Sequence, residues 1–314
     1  MAAGVSRLSV VEEKMKSIET FVRKMKEKDI SINYIQAYKG EELLGEYSRL
    51  DTKTRLNVYS VSKSVTSIGV GIAIKEGVLT LNSMLKDIFP EYADKMEGTY
   101  LSKINVEHLL TMTCGLRDKL FFSDDKERYE VKDWISYFME QVFAYEPGTH
   151  FDYSNFNTYM LSCILERVTG QTLVEYLKTR FFEKLGIGNP DWLSCPMGHT
   201  TAAYGLLLTI DEMSVIGRFL LQEGVWNGER ILSAEYIRDA SKNHISTNMP
   251  KYGYGYQFWV NPDGESYRAD GKYGQYIIVV PKKELVVTVQ ALESKKFFDD
   301  VWEELVIPLE EEIE

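Results

Sequence analysis

The chain is expected to adopt an α+β fold with a mainly helical insertion, and three observations along its 314 residues point there. An amphipathic helix and a glycine-centred hairpin open the chain, helical periodicity dominates its middle, and strand-like runs gather near its end before a closing helix. This order implies an α/β domain formed by residues 1–78 and 200–314 around a helical subdomain of residues 79–199. Their cleft would hold the site.

The opening helix is expected over 10–28, where Val11, Met15, Ile18, Val22 and Met25 recur at helical spacing. Residues 30–38 and 42–47 flank Lys39-Gly40-Glu41 and read as a hairpin. A second helix should open near Ser60. Residues 65–74 are apolar almost all round, Gly69 and Gly71 permit close approach, and Gly77 suits the end of the helix. Helical patterns follow at 106–112, 131–143, 157–168 and 173–185, then at 210–223 and 233–241. Strands are expected at 254–260, 276–280 and 285–289; the continuous apolar run at 276–280 suggests cover on both faces. A last helix is expected over 295–314, ending in an acidic tail.

Composition narrows the function classes. Lys+Arg number 36 against 47 Asp+Glu, a formal charge of −11, which disfavours sequence-independent binding to nucleic acid. No run approaches the roughly 20 apolar residues that cross a bilayer, and no signal-peptide pattern precedes the charged 10–29 segment, so neither membrane nor nucleic acid is an expected partner. Cys114, Cys163 and Cys195 are odd in number and widely spaced, the pattern of reduced thiols in a cytoplasmic protein rather than of disulfides or a zinc site. There is no Gly-x-Ser-x-Gly elbow, Walker loop or His-Glu-x-x-His, and the Gly69-x-Gly71 pair lacks the third glycine of a dinucleotide fingerprint. His108, His150, His199 and His244 sit in no recognisable triad setting.

A different serine chemistry is legible. In Ser60-Val61-Ser62-Lys63 the hydroxyl and amine share one helix face. A lysine whose pKa is lowered by burial or by cationic neighbours can take the serine proton, and the free N–H of Ser60 at the helix start can serve as an oxyanion donor. Ser-x-x-Lys also occurs at Ser83/Lys86 and Ser123/Lys126, but only Ser60 follows a strand-like stretch and opens a buried helix. Tyr153-Ser154-Asn155 is the second element. A nearby ammonium is expected to pull the Tyr153 phenol down towards a general base, while Asn155 orients the lysine or the substrate. The third is Lys272-Tyr273-Gly274, where Lys272 would meet a substrate carboxylate, Gly274 would let substrate approach the backbone, and the N–H of Gln275 would be the second oxyanion donor. Lys251-Tyr252-Gly253 repeats this triplet in a less apolar setting.

In that order, Ser-x-x-Lys, Tyr-x-Asn and Lys-x-Gly resemble the serine β-lactamase and penicillin-binding protein superfamily. The tyrosine of the second motif points to its class C-like branch, which includes β-lactamase-related esterases and amide hydrolases. Residues 109–116, 146–155, 224–228 and 271–275 look like the same branch, and the resemblance runs from about Ile32 to Val289. It implies a β-lactamase-like fold with an antiparallel sheet flanked by helices. It further implies Ser60 as the acylated nucleophile, Lys63 as its proton acceptor, Tyr153 as base or relay in deacylation, and Asn155 and Lys272 as substrate-positioning groups. Tyr273 stands where β-lactamases usually carry threonine, so a bulky ring at the pocket edge changes what lies beside the strand. The expected activity is hydrolysis of small esters or amides without metal or organic cofactor, esterase-like more than efficient against β-lactams. A β-lactamase or D-amino-acid peptidase is the second expectation, and a non-catalytic binding paralogue the third.

Overall fold

In the computed structural model, residues 15–117, 121–122 and 125–313 are described; Val11 of the expected opening helix lies outside them. Helix α1 spans Lys16–Glu27 and buries Ile18, Phe21, Val22 and Met25 on one face, as the spacing requires. Strands β1 (Ile32–Lys39) and β2 (Glu42–Ser48) form the hairpin. A two-residue strand β3 (Leu56–Asn57) then leads into α2 (Val61–Lys75).

Most of the described helices lie in the middle of the chain, the longest being Asn155–Thr169, and short strands β4 (Asp191–Trp192) and β5 (Leu206–Leu208) pair beside β3. After the helix Ile210–Leu221 come the small hairpin β6 (Val225–Trp226) and β7 (Glu229–Arg230), then β8 (Ile245–Ser246) and β9 (Gly253–Tyr254). The strands β10 (Trp259–Val260), β11 (Tyr267–Gly271), β12 (Gln275–Val280) and β13 (Leu285–Ala291) complete the set. The main sheet is antiparallel, eight-stranded, in the order β2-β1-β13-β12-β11-β10-β9-β8. Its centre joins the two chain ends, with Ile35 opposite Val289.

Both central C-terminal strands are buried along their whole length because each face is covered. Ile278, Val280, Val287 and Val289 pack with α1 and with Val301, Leu305 and Leu309 of the closing helical stretch. Ile277 and Val279 pack on the other side with Val65 and Ile68 of α2. Thirteen of the fifteen residues of α2 are buried. Its glycines have the expected use: a Cβ on Gly71 would lie 2.6 Å from the Tyr236 ring and 2.7 Å from Leu232, and one on Gly69 would lie 2.9 Å from Leu173.

Several elements differ from expectation for local reasons. The run 254–260 is two strands, because Gln257 turns into the left-handed region at φ +66° and a Cβ on Gly255 would lie only 2.0 Å from the Ala240 carbonyl. The 131–143 helix contracts to Trp134–Met139, starting where Asp133 accepts from the Ser136 N–H at 2.9 Å. The 173–185 segment is α-helical only over Leu173–Leu177 before it widens and then tightens. The closing helix begins at Phe298 and widens over Trp302–Val306, just ahead of Pro308, which supplies no backbone donor. Strand β11 is unanticipated because charged Arg268 and Asp270 alternate along the run with the small or apolar face of Tyr267, Ala269 and Gly271. The three cysteines are buried and free.

The Gly71 contact gives a stability test. Gly71→Ala forces a methyl into a rigid ring, so denaturant unfolding should show a loss of about 1–3 kcal/mol, the range for an overpacked core; an unchanged midpoint would show that the Tyr236 contact yields without cost.

Candidate active site

Ser60 occupies the position before α2 without a side-chain cap bond, which leaves its hydroxyl uncommitted to the helix, and it remains partly accessible at the end of the β3 connection. Asn57 shapes that connection: its Oδ1 accepts from the Tyr59 N–H at 2.8 Å, and Tyr59 takes φ +48°. Such a left-handed tyrosine is strained backbone held in place by its surroundings. The next amides are committed, Val61 to the Val58 carbonyl at 3.1 Å and Ser62 to that of Tyr59 at 3.0 Å.

Lys63 points from the first turn of α2 into the protein and is 1% exposed. Its Nζ lies 3.1 Å from Ser60 Oγ, 2.7 Å from Asn155 Oδ1 and 3.1 Å from the Ala203 carbonyl. Burial lowers its pKa from 10.5 to about 7, because desolvation disfavours the ammonium. A neutral amine has two N–H bonds and one lone pair. Asn155 Oδ1 and the Ala203 carbonyl can only accept, so they take the two N–H bonds and leave the lone pair for the Ser60 hydroxyl.

Tyr153 lies in the loop just before the helix Asn155–Thr169, whose start is capped by Ser154 accepting from the Phe156 N–H at 3.0 Å. Its hydroxyl is in hydrogen-bond contact with Ser60, and Lys63 Nζ stands 4.9 Å from its ring centroid. The expected lowering of its pKa is corrected: burial pushes the phenol up. Lys63 is itself easily neutralised, so near neutral pH Tyr153 is a proton-bearing phenol. Trp259 (5.5 Å between centroids), Tyr254 (6.0 Å) and Phe122 (6.3 Å) wall the ring.

Asn155 has both ends of its amide engaged: Oδ1 accepts from Lys63, and Nδ2 donates to the Phe121 carbonyl at 2.9 Å. Its place is therefore behind the lysine rather than against a substrate. Residues 272–274 form the turn between β11 and β12 and lead into β12. Tyr273, at φ +67°, packs its ring edge-on to Tyr59 at 4.9 Å, and exposed Lys272 holds Nζ 4.8 Å from the Tyr273 ring. Gly274 is closed rather than open, since a Cβ there would lie 2.4 Å from the Phe297 ring. The close backbone approach belongs to Gly271, where a Cβ would lie 2.2 Å from the Val58 carbonyl, two residues before Ser60.

The Gln275 amide is also placed differently. The bond from the Ala291 N–H to the Gly274 carbonyl at 3.0 Å marks Gln275 and Gln290 as a non-hydrogen-bonded pair, so Gln275 turns its N–H towards Gly271 in the ladder. An N–H held in the ladder is not free to meet an oxyanion at Ser60, so the expected role of the Gln275 amide is not met.

The competing motifs lie elsewhere. Ser83 Oγ accepts from the Thr80 N–H at 3.0 Å, Ser123 lies outside the described residues, and Lys251 pairs with Asp299 at 2.9 Å. The histidines serve local structure: His108 closes a capping box with Asn105, His150 faces Asp152, His199 meets Glu166 at 2.9 Å, and His244 contacts the Asp239 carbonyl. No group of three or more metal-ligating side chains occurs among the described residues, and no described helix is long and apolar enough to cross a membrane.

The fold and this Ser–Lys–Tyr arrangement define the class, a serine hydrolase fold. The Beta-lactamase family model matches residues 20–304, and the chain belongs to that family. It is 26% identical over 276 residues to the 6-aminohexanoate-dimer hydrolase of Paenarthrobacter ureafaciens, covering 79% of this chain and 69% of that one. Penicillin-binding protein 4* of Bacillus subtilis is 24% identical over 196 residues, 56% of this chain and 41% of that protein, so the chain spans less than half of this relative's length. A family VIII carboxylesterase structure superposes with a TM-score of 0.77, at 16% identity over 97% of this chain and all of that one.

Gly271→Ala should separate the turn from the Val58 backbone. Fluorophosphonate labelling of Ser60 is expected to slow by about 10- to 100-fold, the scale of an ångström-level misplacement; labelling at the wild-type rate would show that this contact does not set the site.

Proposed function

We propose that the chain cleaves small esters or amides through a covalent acyl-enzyme on Ser60. The reacting groups lie where the β11–β12 turn meets α2 and the helical residues 79–199. The single observation that carries the reading is the placement of buried Lys63 Nζ, held by two fixed acceptors 3.1 Å from the Ser60 hydroxyl.

Lys63 takes the Ser60 proton as Oγ bonds to the substrate carbonyl carbon, and the oxyanion is held by the Ser60 N–H and an amide of the 272–274 turn. Collapse breaks the bond to the leaving group, which leaves with a proton passed from Lys63 through the Tyr153 phenol. Water then attacks the acyl group while the same pair accepts its proton, releasing the acid and restoring Ser60. Tyr59 and Tyr273 narrow one edge of the site. Ester and amide hydrolysis both suit the relatives' names, a dimer hydrolase and a carboxylesterase. A second reading, β-lactamase or D-amino-acid peptidase, is favoured by exposed Lys272 beside the turn, a cation available to a substrate carboxylate. A cytoplasmic location belongs to the proposal and is supported by the free thiols.

Hydrolysis of p-nitrophenyl butyrate by wild type and a folded Ser60→Ala variant is the direct test. Turnover that falls to background in the variant is expected; equal turnover removes Ser60 as nucleophile, and absence of turnover and labelling in both favours a binding paralogue. The pH profile is a separate prediction. Lys63 must be neutral to act, and burial lowers its pKa to about 7, so kcat/KM should rise with pH and reach half its plateau near there. A profile flat between about pH 5.5 and about pH 8.5 would exclude Lys63 as the titrating base.

A further inference from the structure

Lys63 can aim its lone pair only if the Asn155 amide keeps its oxygen forward. A flipped amide would turn Nδ2 towards the amine and Oδ1 towards the Phe121 carbonyl, opposing donor to donor and acceptor to acceptor. The Phe121 carbonyl is therefore the fixed point behind the site. Phe121 holds it there from a left-handed backbone at φ +62°, its ring stacked on Phe156 at 4.1 Å and set edge-on to Trp134 at 4.6 Å.

The second lone pair of that carbonyl is also used. Arg128 Nη1 donates to it at 2.8 Å, beside the Asn155 Nδ2 bond at 2.9 Å. Arg128 is 6% exposed, its guanidinium lies 4.5 Å from the Tyr129 ring centroid, and its own carbonyl accepts from the Trp134 indole at 3.1 Å. A planar guanidinium gripped between rings holds its donors in a fixed direction. We propose that Arg128 is a positioning residue for the reaction at Ser60: through the Phe121 carbonyl it fixes the Asn155 amide, and through Asn155 it orients Lys63. It touches neither substrate nor Ser60, and nothing in the Ser-x-x-Lys, Tyr-x-Asn or Lys-x-Gly motifs includes it.

This inference rests on the Ser60 acyl-enzyme reading, and the test separates the two. Fluorophosphonate labelling of Ser60, together with kcat and KM for p-nitrophenyl butyrate, is compared in wild type, Arg128→Met and Arg128→Lys after their folds are matched by circular dichroism and thermal melting. Arg128→Met keeps similar bulk but loses the donor. It should lower the labelling rate and kcat by about tenfold or more with KM within about threefold, and Arg128→Lys, which restores a donor, should return kcat to within about threefold of wild type. Arg128→Met reacting at the wild-type rate overturns the proposal, as does Arg128→Lys falling as far as Arg128→Met, which would leave Arg128 a packing residue. If Arg128→Met does not fold, Arg128→Lys decides: near-wild-type kcat supports the proposal, and a tenfold loss in a folded variant overturns it. A wild type that is not labelled on Ser60 strikes the parent reading itself.

Discussion

Everything at the site depends on burying one amine. A lysine ammonium loses several kcal/mol of hydration when taken into a protein interior, and the protein meets that cost by letting Lys63 shed its proton near pH 7. The surroundings make this workable. An almost wholly buried α2 keeps water from the base, while Asn155 and the Ala203 carbonyl offer two acceptors and no negative charge. A carboxylate in either place would hold the proton on the amine and disable it as a base.

That arrangement draws on distant parts of the chain. Ser60 and Lys63 share one turn of helix, Asn155 comes from a second helix, Ala203 precedes β5, and the 272–274 turn is carried by the sheet. The antiparallel pairing of β1 with β13 ties the chain ends together, and the register of β11 with β12 sets where the turn projects. Two backbone details complete the approach: Gly271 at the Val58 carbonyl, and the ring contact between Tyr59 and Tyr273.

Much of this was legible in the sequence where periodicity and order are strong. The hairpin, α2, the Asn155–Thr169 helix and strands β12 and β13 follow from apolar spacing, and the order of three motifs led to the family. What escaped is what long-range contact decides. The strand β11 was hidden by Arg268 and Asp270, so the hairpin whose turn carries Lys272-Tyr273-Gly274 was not legible. Tyr153 seemed to sit beside a permanent cation, whereas burial acts on both groups and keeps the phenol protonated. Trp259 and Tyr254 wall Tyr153, and a sequence window shows that they are aromatic, not which ring they meet.

The left-handed backbone of Tyr273 bears on how such a site can evolve. Threonine is branched at Cβ and is strongly disfavoured at φ +67°. Replacing Tyr273 by threonine would therefore write Lys-Thr-Gly into the sequence only by forcing a β-branched residue into left-handed backbone, so the letters of that motif and the shape of this turn are not independently exchangeable.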